Sequence, residues 1–144
     1  MPGPDCHSAL AAGAVLGLQP YVPGKPVSEL EREYGIRDSI KLASNENPLG
    51  PPPASIRAIS AALGDLALYP DGAAFALKDA LARRLDVDPA RITVGNGSNE
   101  LLSLVAETFL TPSTEAVYSQ YAFLVYALSV QATGATARIA PANP

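Results

Sequence analysis

The residues best suited to chemistry lie in one run, Gly95-Asn96-Gly97-Ser98-Asn99-Glu100. Ile92-Thr93-Val94 before it is β-branched throughout and predicts a short buried strand. Leu101, Leu102, Leu104, Val105, Phe109 and Leu110 after it predict a helix that is apolar nearly all round and therefore interior. Gly95 and Gly97 permit backbone angles and close approaches that a Cβ would forbid. Ser98 and Asn99 are favoured helix-capping types, and Glu100 suits the positive end of the helix dipole. Where a strand feeds a glycine turn and a helix start, free N–H groups point outward and the dipole favours an anion. A cofactor phosphate is the anion expected there.

Other phosphate motifs fit less well. No Gly-Lys-Ser/Thr follows, so the turn is not a Walker loop, and Glu100 stands where a dinucleotide fingerprint needs its third glycine. Glu115 falls near the ribose-binding offset of that fingerprint, a weak signal alone. An ordinary strand-to-helix turn is the plain alternative.

The elements that must position this run follow from the rest of the chain. Residues 1–20 read as a loose Ala/Gly/Pro-rich arm with a short helix near residues 10–18. Residues 19–26 are proline-rich and extended. Residues 27–34 predict a short acidic helix capped by Ser28 and stopped near Gly35. Ile40-Lys41-Leu42-Ala43 alternates as a strand would. Residues 44–53, with four prolines, form a rigid irregular loop, a typical place for ligand contacts or a plain connector. Helices are expected over 54–63, ended by Gly64, and over 73–85, with a turn at 68–72 between them. After the central helix, 116–118 predict a strand, 122–133 a helix carrying Phe123 and Tyr126 and closed by Gly134, and 135–140 a third strand.

The resulting order is strand, helix, strand, helix, strand. It predicts an α/β fold with a largely parallel sheet and right-handed crossovers. Such sheets are covered on both faces. Here the last strand has no following helix, so edges and apolar faces should stand open, as in a piece of a larger protein. The expected organisation is an arm at 1–20, an N-terminal segment at 21–64 and the start of a larger domain at 65–144.

Composition narrows the function classes. The chain has 144 residues, net charge −4 and 48% hydrophobic residues, with a pI near 4.8. The acidic balance argues against nucleic acid and anionic membranes as partners. One cysteine, Cys6, excludes an internal disulfide and points to a reducing compartment. Cys6-His7 lacks further His or Cys to complete a metal site. Residues 8–18 are apolar but follow Asp5 and no basic residue, unlike a secretory leader. No apolar run approaches the roughly 18–20 residues that span a bilayer.

Five motifs occur together and in order: Tyr21-Val22-Pro23-Gly24, Lys41-Leu42-Ala43-Ser44-Asn45-Glu46-Asn47-Pro48-Leu49-Gly50, Leu68-Tyr69-Pro70-Asp71, the Gly95–Glu100 run, and Tyr121-Ala122-Phe123-Leu124-Val125-Tyr126. From residue 19 to 144 the chain resembles the N-terminal part of the histidinol-phosphate aminotransferases, which are fold-type-I enzymes dependent on pyridoxal 5'-phosphate (PLP). The resemblance implies that Gly97, Ser98 and Asn99 hold the PLP phosphate. It implies that Phe123 stacks on the pyridine ring, where the family often has Tyr; Phe keeps the stacking face and loses a hydroxyl. Tyr69 is expected to reach the neighbouring subunit's PLP phosphate, which implies a homodimer. Tyr21 is expected on the substrate side near the imidazolyl phosphate, and Asn47 at the substrate entrance.

The reaction implied is amino-group transfer between L-histidinol phosphate and 2-oxoglutarate, in the cytoplasm. No catalytic residue is assigned within the chain. The family's Schiff-base lysine, the acid partner of the pyridinium nitrogen and the carboxylate-binding Arg match positions beyond residue 144. Of the lysines here, Lys25 and Lys41 flank extended segments and Lys78 is expected on a solvated helix face. An incomplete, inactive chain is therefore expected. A threonine-phosphate decarboxylase, a broad aromatic aminotransferase, or a non-catalytic phosphate-binding or interaction fragment are the alternatives.

Overall fold

The computed structural model describes residues 10–22 and 24–143. Cys6, His7 and the rest of residues 1–9 of the expected arm lie outside the described residues, as does Pro23 of the first motif. The chain divides into two compact units, one joining the stretch up to Tyr21 with Leu77 onward, the other running Val22–Ala76.

In the second unit, α1 (Val27–Tyr34) ends on Gly35 in the left-handed region at φ 66°, the helix stop read from sequence. Its N-cap is Pro26, not Ser28, which lies inside the first turn. Pro53 opens α2 (Pro53–Ala62), where a missing N–H costs nothing. Gly64 does not end that helix but sits within a 3-10 turn, Leu63–Asp65. α3 (Phe75–Leu85) begins at the end of this unit, with Leu77 onward counted in the first, and starts two residues later than expected. Asp71 accepts hydrogen bonds from the backbone N–H of Ala73 and of Phe75, both at 2.9 Å, and so gathers the chain into the helix. Residues 40–43 form no strand, and Leu42 is 92% exposed. Alternation alone cannot hold a strand without a partner backbone to complete the ladder.

In the first unit, α4 (Gly97–Phe109) leads to β1 (Glu115–Ser119), α5 (Leu124–Ala132) and β2 (Thr136–Ala140). The strands pair in parallel, with Glu115 opposite Thr136 and Ser119 opposite Ala140. The sheet thus has two strands among the described residues, not three. Residues 92–94 are extended and alternate half-buried and exposed as a strand would, but pair with nothing described. The α/β class and parallel pairing stand; the third strand fails for want of a neighbour to bond.

The buried core is small: Ala82, Ala106, Val125 and Val130, with the polar Ser129. α4 is not interior as its composition implied, since Val105 is 56% and Phe109 70% exposed. Of the helix only Ala106 is buried, and α4 packs against α5. Apolar surface thus stands open, as an incompletely covered α/β sheet requires. The 3-10 turn Gly13–Val15 lies against α5, with the Gly17 position near Gln131 Nε2, so this part of the arm is packed. No helix of the described residues is long and apolar enough to cross a membrane.

Candidate functional site

The start of α4 is shaped by backbone accounting. A helix leaves its first four N–H groups without intrahelical partners. Here these belong to Asn96, Gly97, Ser98 and Asn99, because the N-cap is Asn96 rather than Ser98 or Asn99. The Asn96 N–H donates to Glu100 Oε2 at 2.6 Å. The Gly97 N–H donates to the Gly95 carbonyl at 2.8 Å. Asn96, at φ −76° and ψ 67°, has the backbone of an inverse γ-turn that makes this second bond possible. The Ser98 and Asn99 amides find no acceptor among the described residues. Both residues are exposed. Two donors at the positive end of a 13-residue helix therefore face solvent.

Each glycine has its own reason. Gly97 sits at φ +79°, and a Cβ there would meet nothing within 4 Å; the constraint is backbone angle alone. Gly95 leaves room for its neighbours: a Cβ would stand 2.8 Å from Glu100 Oε2 and 3.2 Å from Leu101 Cδ2, and both side chains would have to shift. Hydrogen bonds from the Asn96 backbone N–H, and then from its side-chain amide, hold the Glu100 carboxyl below its ordinary range.

Phe123 lies in the loop after β1. It is the N-cap of α5, not a residue on the helix as its spacing suggested, and its backbone is extended there. Its ring is 46% exposed and meets Tyr21 edge-to-face, centroids 5.7 Å apart. The two residues thus come together although 102 positions separate them. Their backbones stay apart from regular structure, so only side-chain geometry makes this pair.

The helices point these groups to one end. β1 and β2 are parallel, and α4 and α5 each turn into the following strand through a short connection. The two helices therefore run in the same sense. Ser103 of α4 touches Ser129 of α5, 3.4 Å between hydroxyl oxygens. Both N-termini accordingly open at the end where β1 finishes, which is where ligands sit in open α/β sheets.

The other expected site residues lie in the second unit. Tyr69 is fully exposed, beside a shallow hollow lined by Leu66, Leu68 and Pro70. Asn47 is engaged in its own turn: its Oδ1 accepts from the Leu49 N–H and its Nδ2 donates to the Gly50 carbonyl, both at 3.1 Å. Lys25 pairs with Glu33 and Lys41 with Glu46, while Lys78 is half-buried on α3 rather than freely solvated. Glu115, the weak ribose candidate, is paired across the strands with Arg138. Sequence reading missed the lock between Glu100 and Asn96; a Glu four residues after the turn Asn was its only signal.

A phosphate at such a mouth needs unspent donors, an open approach and a backbone unobstructed by Cβ atoms. Ser98 and Asn99 supply the open donors, and Gly97 the stretch of backbone without a Cβ. Phe123 belongs to the same unit and keeps part of its side chain exposed.

No protein-family model matches the chain. It is similar to histidinol-phosphate aminotransferase 2 of Methylococcus capsulatus, 54% identical over 136 residues, which is 94% of this chain and 37% of that protein. It is similar to histidinol-phosphate aminotransferase 1 of Nitrosococcus oceani, 53% identical over 93% of this chain and 36% of the relative. The chain thus spans little more than a third of the length of these relatives. Its fold superposes on the crystal structure of histidinol-phosphate aminotransferase from Sinorhizobium meliloti in complex with pyridoxal-5'-phosphate. The TM-score is 0.77 and the identity 28%, over 91% of this chain and 34% of that one. In sequence and in its partial fold-type-I α/β architecture, the chain matches an N-terminal portion of the histidinol-phosphate aminotransferases.

Proposed function

We propose that this chain supplies the phosphate cup and ring wall of a PLP-dependent aminotransferase acting on L-histidinol phosphate and 2-oxoglutarate. The observation that carries the reading is the pair of unspent amides at Ser98 and Asn99. The cofactor named with the similar solved structure bears the phosphate such a pair recognises. Ser98 and Asn99 hold the phosphate through backbone and side-chain groups, and Gly97 keeps the approach clear. Phe123 lies against the pyridine ring, and Tyr21, edge-on to Phe123, orients it from the substrate side. Asn47 lines the substrate entrance, and Tyr69 reaches the phosphate bound by a second subunit of a homodimer. Bound there, the coenzyme supplies the electron-withdrawing ring that amino-group transfer requires.

No lysine of the chain matches the anchoring lysine, so the 144 residues alone bind PLP without transaminating. The assembled enzyme works in the cytoplasm. The test is titration of the isolated chain with PLP, followed by borohydride. The expected result is reversible binding, competed by inorganic phosphate, with no stoichiometric lysine adduct. Binding indifferent to phosphate would overturn the cup. A defined lysine adduct with turnover of histidinol phosphate would overturn the inactivity.

A further inference from the structure

We infer that Glu100 is a positioning residue for the anion cup: its carboxylate locks the Gly95–Gly97 turn in the arrangement that leaves the Ser98 and Asn99 amides unspent. This rests on the phosphate reading above and adds to it a residue that touches no ligand.

Three observations converge. The carboxylate holds Asn96 at two points, accepting from its backbone N–H at 2.6 Å and from its side-chain Nδ2 at 3.2 Å to both oxygens. Asn96 is the central residue of the inverse γ-turn in which the Gly97 N–H is consumed by the Gly95 carbonyl. A Cβ at Gly95 would stand 2.8 Å from Glu100 Oε2, so the carboxylate would have to leave its present place. Glu100 thus satisfies one of the four open amides itself and fixes the geometry that satisfies a second. The two that remain are the two assigned to the phosphate.

The carboxylate also sets a limit. It places negative charge beside a cup meant for an anion, and like charges oppose one another. Its hydrogen-bonding role and its charge therefore act in opposite directions on phosphate affinity. Glu100→Gln separates them, because a Gln carbonyl accepts the Asn96 N–H without the charge. Glu100→Ala removes both. A simple helix cap would change α4 stability in these variants but would not redirect the Ser98 and Asn99 amides.

The experiment uses the whole chain, labelled for amide NMR, with inorganic phosphate as the probe. Without phosphate, Asn96 amide exchange should be slow in the wild type and fast in Glu100→Ala, where the Ser98 and Asn99 resonances also move. On titration, phosphate should shift Ser98 and Asn99 in the wild type. Glu100→Ala should lower the affinity about tenfold or more, as expected for a lost bond to a charged group. Glu100→Gln should restore wild-type affinity or exceed it. Gly95→Ala keeps Glu100 but fills the space of its carboxylate, and should reproduce the Glu100→Ala loss; it serves also if Glu100→Ala does not fold.

Wild-type affinity in Glu100→Ala, or Glu100→Gln no better than Glu100→Ala, overturns the inference. If phosphate leaves wild-type Ser98 and Asn99 unmoved, the functional reading fails instead. The ligand-free spectra then still decide: changed Ser98 and Asn99 resonances in Glu100→Ala support the positioning role, and unchanged ones overturn it.

Discussion

The turn at 95–100 and the loop at 44–53 each carry two Asn beside Gly, and they use those residues in opposite ways. In the loop, Asn47 spends both ends of its side chain on its own turn, bonding Leu49 and Gly50. In the turn, Asn96 and Gly97 spend their amides locally, and this leaves Ser98 and Asn99 open. Local satisfaction closes the first segment and exposes donors in the second. The difference comes from the helix: only an element with unmatched N–H groups has donors left over. Tyr69, also in the second unit, is fully exposed.

The comparison breaks most sharply at Gly97. Gly97→Ala forces an L side chain to φ +79°, which costs about 1–2 kcal/mol. Chemical denaturation should show that loss, and phosphate titration should show weakened binding at Ser98 and Asn99. The same substitution at Gly64, within the 3-10 turn after α2 and with open space at its Cβ, should leave phosphate binding untouched.

In the second unit, Asp71→Ala removes the acceptor for the Ala73 and Phe75 amides. The expected cost is about 1 kcal/mol, the usual worth of a helix-entrance acceptor, read from the denaturation midpoint. Phosphate binding in the first unit should not change. A parallel loss of binding would mean that the two units respond as one.

The smallest effect is in pH. Glu100 is held below its ordinary range by Asn96, Glu33 by the hydrogen bond from Lys25, and Glu115 by that from Arg138. A depressed carboxyl contributes stability above its unfolded value, here the ordinary 4.5, and loses it as pH falls through the folded value. Stability should therefore be level just above that pH and decline below it. Glu33 and Glu115 face cations at exposed sites, so salt should reduce their share. Glu100 faces a neutral amide, so its share should persist at high salt and vanish in Glu100→Gln. A decline abolished entirely by salt would count against the Glu100 lock.

Much of the architecture was legible because it rests on local signals. Gly35 and Gly134 stop their helices at positive φ, and β1 and β2 fall where strands were expected at 116–118 and 135–140. The strands expected at 40–43 and 92–94 were misread for one shared reason. Alternation at 40–43 and β-branching at 92–94 suit a strand backbone, whereas a ladder requires a neighbour from elsewhere in the chain. Phe123 shifted from helix face to N-cap because its helical spacing continues past the helix's actual start.

The candidate site divides the same way. The glycines and polar residues of 95–100 carry their own backbone requirements, and these are local enough to read from the letters. The five motifs in order likewise carried the kinship that the relatives bear out. Which amides stay open depends on where the helix begins and on a carboxylate folding back four residues. The meeting of Tyr21 with Phe123 depends on packing between distant segments. Sequence alone specified the donors, the turn and the family; tertiary structure decided which donors remained free, because a hydrogen bond is allocated by geometry and not by residue type.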